Sequence, residues 1–174
     1  PRGMILCNMG KPERRGEPAI HGRAFEAAGM KVLGAIEGDG YLEGGDFIWL
    51  DEGACAVAEG YRTNPEGIRQ LKALLGDGVH VEVVPLPHYL GPSDVFHLMS
   101  IISPLDADLA LVHSPLMSVR FRNWLLERGM RLVEVAEEEF TNLGCNVLAL
   151  GPSRCLMASG CPETAARLRS AGCE

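Results

Sequence analysis

The sequence predicts an α/β fold assembled from repeats of one unit, and three recurrences point to it. Four short apolar runs read as strands. Each is followed by a loop bearing Pro, Gly or Ser and then by a stretch of helical character, clearest in the second and third copies, where apolar residues fall at three- to four-residue spacing. Gly29, Gly78, Gly129 and Gly172 close those stretches at intervals of 49, 51 and 43 residues, as glycine does just past a helix. After each of the first three glycines comes a strand and then one polar turn.

The elements follow in order. Met4-Ile5-Leu6-Cys7 is the first strand, Gly10-Lys11-Pro12 its loop, and Met30-Lys31-Val32 opens the strand past Gly29. The turn Leu42-Glu43-Gly44-Gly45-Asp46 leads into the strand Phe47-Ile48-Trp49-Leu50. The second copy runs from Ala54-Cys55-Ala56-Val57-Ala58 through Thr63-Asn64-Pro65 to a helix with Ile68, Leu71, Leu74 and Leu75 on one stripe. Its turn is Phe96-His97-Leu98-Met99-Ser100. The third copy starts at Leu109-Ala110-Leu111-Val112, continues through Ser114-Pro115 to a helix with Phe121, Trp124 and Leu125, and turns at Leu143-Gly144-Cys145-Asn146. A fourth begins near Cys155 and reads as unfinished just past Gly172. We therefore expect one partial domain over residues 1–174, with units at 4–53, 54–108 and 109–154 and an incomplete one at 155–174. Such units bury their apolar faces only against their neighbours.

Composition narrows the function. The chain has 174 residues, 47% of them hydrophobic and 22% charged, and a net charge of −7. These are globular values, and the acidic balance argues against a nucleic-acid or anionic-membrane partner, which needs a basic patch. No apolar run approaches the ~18 residues of a membrane span, and no charged-then-apolar leader opens the chain. The six cysteines form no C-x-x-C pair and sit mostly in apolar runs, as reduced thiols of a cytoplasmic protein would.

In a ring or stack of units, turns at equivalent positions converge on one end. They offer Glu43 with Asp46, His97 with Ser100, and Cys145 with Asn146. Acid, imidazole and thiol suggest nucleophilic catalysis in which the histidine exchanges protons and the carboxylate orients it. Each residue also has a plainer reading. Glu43 and Asp46 could be solvated acids of a hairpin turn, His97 a hydrogen-bonded core residue, and Cys145 packing. Arg62, and Arg14 with Arg15, stand at loop mouths where a guanidinium could hold a carboxylate with two hydrogen bonds. Glu137-Glu138-Glu139 reads as a solvated face. No phosphate-loop, dinucleotide, nucleophile-elbow or H-E-x-x-H pattern occurs, and the scattered histidines give no positive evidence for a metal site.

Taken together, Pro12-Glu13-Arg14-Arg15-Gly16-Glu17, Leu42-Glu43-Gly44-Gly45-Asp46, Tyr61-Arg62-Thr63-Asn64 and Phe96-His97-Leu98-Met99-Ser100 resemble, in order and spacing, the guanidino-group-modifying superfamily. That superfamily holds dimethylarginine dimethylaminohydrolases, arginine deiminases and amidinotransferases. The resemblance spans residues 4 to about 150. It implies the pentein fold, five ββαβ-type units around a pseudo-fivefold axis, of which about three and a half would be present here. It further implies that Glu43 binds the guanidinium and helps position His97, that His97 is the general acid/base, and that Arg14 and Arg62 bind the substrate's α-carboxylate. The H-L-M-S string is closer to the H-L-K-S of dimethylargininases than to the H-x-D of deiminases, with Met99 in place of lysine. No residue matches the family's nucleophilic cysteine, and Cys145 matches a structural position. The implied protein is a hydrolase of arginine-like guanidines acting through a covalent thiouronium, without cofactor or metal; a chain with units missing is also expected to self-associate through its exposed apolar faces. A non-catalytic binding protein and an amidinotransferase are the alternatives.

Overall fold

A computed structural model describes residues 3–174. The chain opens with β1 (Met4–Leu6), α1 (Glu17–Ala27) and β2 (Val32–Ala35), the two strands pairing in parallel. There follow β3 (Phe47–Asp51), β4 (Ala54–Glu59), α2 (Pro65–Leu75) and β5 (His80–Pro85), a sheet of order β3-β4-β5. The same sheet recurs as β6 (Ile102–Asp106), β7 (Leu109–Val112), α3 (Val119–Glu127) and β8 (Arg131–Glu134). In both, an antiparallel hairpin is followed by a helical crossover to a parallel strand, because a parallel return needs a connection long enough to hold a helix.

The last copy has the hairpin β9 (Leu148–Gly151) and β10 (Arg154–Leu156) followed by α4 (Pro162–Ser170). The Glu174 N–H donates to the Ser153 carbonyl at 2.8 Å. This is the bond that His80 makes to Gly53 and Arg131 makes to Asp108 at the start of β5 and β8. The repeat is therefore phased hairpin, helix, strand. Each three-stranded sheet draws one strand from before residue 53 or residue 108, so the sheets straddle the spans laid out from the sequence.

Burial explains why these segments are strands. All of Leu109–Val112 and all but the last residue of Ala54–Glu59 are buried, the continuous apolar run of a strand covered on both faces. The helices carry their own stops and starts. Asn64 accepts from the Gly67 N–H at 2.9 Å and Ser118 from the Phe121 N–H at 3.3 Å, satisfying donors that a helix start leaves open. Past the helices, Gly29, Gly129 and Gly172 take positive φ. In the second copy the left-handed residue is Gly76 rather than Gly78, so α2 ends two residues earlier than the glycine spacing suggests. The core divides into three clusters, each filling the joint between one unit and the next.

Two expectations change. The third polar turn forms at residues 143–146, closed by the Asn146 N–H on the Leu143 carbonyl at 2.9 Å; entered from a 3-10 segment, Glu137–Asn142, with Leu143 at φ 63°, it places Cys145 in the core instead of at a surface. Glu139 is buried, not solvated. Its carboxylate accepts from the Glu163 and Thr164 N–H groups at 2.9 and 2.8 Å. It thus caps α4, whose own preceding residue Cys161 makes no side-chain cap. Burial alone would raise the Glu139 pKa; the bonds from Thr164 and Glu163 outweigh it and hold the carboxyl below its ordinary value.

Candidate active site

The first two polar turns meet, and Glu43 is the point of contact. Gly44–Asp46 and Leu98–Ser100 are both single 3-10 turns, and Asp46 ties them together. One Asp46 oxygen accepts from the Thr63 hydroxyl at 2.7 Å and the other from the Leu98 N–H at 3.1 Å. Thr63 in turn accepts from the Glu43 N–H at 3.2 Å. Burial pushes the Asp46 carboxyl up against the opposing pull of His97 and of these bonds. The strand-end loop 61–64 and both turns are thereby locked into one polar layer.

On that layer Glu43 lies 1% exposed and every partner it has is a donor. Its Oε2 is 3.0 Å from His97 Nε2 and accepts from Arg14 Nη1 at 3.1 Å. Its Oε1 accepts from the Lys11 N–H at 3.1 Å and faces Arg62 Nη1 at 3.7 Å. Arg62 and His97 are buried as well, at 6% and 8% exposed. A charge taken this far out of water persists only when paired and hydrogen-bonded. The cluster meets that condition, and no buried side-chain polar atom among the described residues is left without a partner. The plainer reading of Glu43 as a solvated turn acid is therefore wrong, as it is for Asp46.

The structure brings all four sequence-selected residues, Glu43, His97, Arg14 and Arg62, to one place. Arg14 differs from Arg62 in its commitments. It is 40% exposed at the side chain and grips Glu17 through Nε and Nη2 at 3.0 and 2.8 Å, and the hydrogen bond with Glu17 raises its pKa. Arg62 gives Nη2 to the Asp94 carbonyl at 3.0 Å. Sequence reading missed Thr63, Asp94 and the Lys11 amide. The first sits beside a motif residue, and the other two act through backbone atoms, which no side-chain pattern announces.

Two glycines make the close approach possible. A Cβ on Gly10 would lie 2.8 Å from the Arg62 carbonyl oxygen, and one on Gly45 would lie 2.9 Å from His97 Cγ. Gly45→Ala is expected to push the imidazole off Glu43. The cost should be about 1–3 kcal/mol, the usual penalty of overfilling a packed site. Thermal unfolding and the His97 ring resonances check this; an unshifted ring would show that the site tolerates the methyl group.

Among the described residues the thiols make no hydrogen bond to the cluster, though Cys7 lies near enough to feel Glu43 and Arg14. Cys145 donates to the Leu111 carbonyl, and burial pushes it up to about 12. Burial, with help from Glu43, raises Cys7 too. No thiol among the described residues hydrogen-bonds to His97 or Glu43. Among the same residues no three His, Cys, Asp or Glu side chains gather as a metal site, and no helix is long and apolar enough to cross a membrane.

A buried carboxylate flanked by an imidazole and two guanidinium groups sits on a frame of ββαβ units, the repeat of a pentein fold. The comparisons agree. The family described as Arginine deiminase matches residues 1–127, and the chain belongs to that family. It is 33% identical over 171 residues to the N(G),N(G)-dimethylarginine dimethylaminohydrolase of Streptomyces coelicolor, covering 98% of this chain and 59% of that protein. It is 29% identical to the uncharacterized protein YkgA of Bacillus subtilis, covering 90% of this chain and 51% of that one. Among solved structures, a Pseudomonas aeruginosa dimethylarginine dimethylaminohydrolase variant complexed with citrulline superposes with a TM-score of 0.79 at 26% identity, over 98% of this chain and 62% of that one. The N-terminal domain of the cyanobacterial arginine dihydrolase ArgZ gives 0.81 at 22% identity, over 99% and 64%, a likeness of fold. The chain thus spans between about half and three fifths of the length of its curated relatives.

Proposed function

We propose that the protein is a cysteine-dependent hydrolase of arginine-like guanidino compounds. The observation that carries this reading is the Glu43–His97 pair at 3.0 Å, buried between two arginines. A thiolate adds to the guanidinium carbon to give a tetrahedral adduct. Protonated His97 gives its proton to the departing amine as the carbon–nitrogen bond breaks, leaving a thiouronium on the sulfur. His97, now neutral, takes a proton from water as the oxygen adds to the same carbon. The carbon–sulfur bond then breaks as the added hydroxyl gives up its remaining proton to solvent, releasing the neutral ureido product and the thiolate. Glu43 holds the imidazole and compensates its positive charge in both halves. Arg62, and Arg14 after exchanging one of its partners, receive the substrate's α-carboxylate.

The nucleophile is assigned to the part of the relatives' length that this chain does not span, since no thiol among the described residues hydrogen-bonds to His97 or Glu43. The test is ureido-product release from L-arginine and from dimethylarginine by the protein expressed from its full reading frame. Product from either supports the reading. Binding without product would make it a ligand-binding pentein, and amidino transfer to glycine a transferase; each would overturn it.

Self-association belongs to the same proposal. An apolar cleft of about 1020 Å³ lined by Leu33, Phe47, Trp49 and Leu74 opens beside β1 and β2, and an exposed apolar surface of this kind invites association. Light scattering should report more than one copy per particle; a clean monomer would count against it.

A further inference from the structure

Arg62 is held by a closed circuit of hydrogen bonds that begins at the residue beside it. The Tyr61 hydroxyl and His88 Nδ1 share a bond of 2.6 Å, and the two rings meet edge to face at 5.9 Å. The His88 carbonyl accepts from the Gly91 N–H at 2.8 Å, and the Gly91 carbonyl from the Asp94 N–H at 3.1 Å. The Asp94 carbonyl accepts from Arg62 Nη2, which closes the circuit at Tyr61's neighbour. Gly91 takes φ +92°, and a Cβ there would lie 3.3 Å from the His88 ring, so the imidazole rests directly on the turn it stabilises. The start of this strap is anchored by the Leu86 N–H on the Glu59 carbonyl at 2.9 Å. Between strap and strand end lies a cleft of about 260 Å³ lined by Tyr61, Arg62, His88, Asp94 and Phe96, among others.

The circuit has a consequence for Arg62. A guanidinium recognises a carboxylate through a planar fork, and its affinity depends on how well that plane is set beforehand. Glu43 faces Nη1 from 3.7 Å, too far to fix the plane by itself, so the Asp94 carbonyl is the contact that orients it. Asp94 belongs to a largely exposed strap held by the turn at His88 and by Tyr89, whose ring packs on Phe96 at 5.1 Å and on Phe140 at 6.4 Å; His88 sets the part that leads directly to Asp94. His88 is in turn held by Tyr61, which is 57% exposed.

We propose that Tyr61 and His88 are positioning residues that set the Arg62 fork for the substrate's carboxylate through the strap 86–96. The inference rests on the reading of Arg62 as a carboxylate-binding residue. Tyr61→Phe and His88→Ala should each raise KM for the guanidino amino acid that the wild type hydrolyses by about five- to tenfold, the worth of one hydrogen bond, with kcat held. His88→Asn, whose amide reaches the position of Nδ1, should restore KM. Hydrogen exchange at Gly91 and Asp94 should quicken in the first two variants and not in the third. An unchanged KM, a fall in kcat in its place, or failure of asparagine to restore KM in an active enzyme would overturn this inference alone. A wild type inert toward every guanidine would overturn the functional reading and this inference with it.

Discussion

Glu43→Gln is expected to remove activity and a large part of the protein's stability together. The carboxylate is the counter-charge for Arg62, which is itself buried. Breaking a buried ion pair from one side leaves the other charge uncompensated, at a cost of roughly 3–5 kcal/mol. In a chain of this size that lowers the unfolding temperature by roughly 10 °C. The amide also turns a pair of hydrogens toward groups that donate: His97 Nε2, Arg14 Nη1 and the Lys11 N–H all point at this side chain. The imidazole loses the partner that fixes its orientation, and related losses in triads reach about 10⁴ in kcat. Calorimetry and product release measured on one preparation check both halves. A variant that melts with the wild type would mean that Arg62 finds water or another anion, and that the cluster is less dry than its geometry indicates.

How much of this was legible in the sequence depends on whether a side chain or the backbone carries the feature. The repeat was visible because its strands and helices advertise themselves through apolar spacing, and the central strands are apolar throughout because both faces are covered. Glu43, His97, Arg14 and Arg62 were visible through the segments that resemble the superfamily, spacing alone leaving plainer readings open, and the structure gathers them around one carboxylate. The phase of the repeat was not visible. Whether Phe47–Asp51 closes one unit or opens the next is decided by which neighbour it hydrogen-bonds, and both choices fit the same hydrophobic pattern. Glu139 was hidden for a related reason. In a run of three glutamates only geometry tells which one turns inward to cap α4. The left-handed stop of α2 fell on Gly76 where Gly78 offered an equal glycine two residues on.

His97→Gln should separate chemistry from stability in a way that the Glu43 variant cannot. Glutamine places an amide nitrogen near the position of His97 Nε2, so Glu43 Oε2 keeps a donor there and retains Arg14 and Arg62 as counter-charges. The backbone of residue 97 keeps its own bond, its N–H on the Ser100 hydroxyl at 3.1 Å. The unfolding temperature should therefore move by only a few degrees, as for a substitution that leaves no buried group unpaired. The amide cannot take or give a proton at neutral pH, and the proposed reaction needs that transfer twice, once to the leaving amine and once from water. The loss in kcat should be about 10²–10⁴, the usual share of a general acid/base. KM should change less, because Arg62 does not touch the imidazole. A variant retaining more than a tenth of wild-type kcat would remove His97 from the proton path and make its contact with Glu43 a structural one. A variant as unstable as Glu43→Gln would show that the imidazole holds the two turns together, work that the structure gives to Asp46 through Thr63 and Leu98.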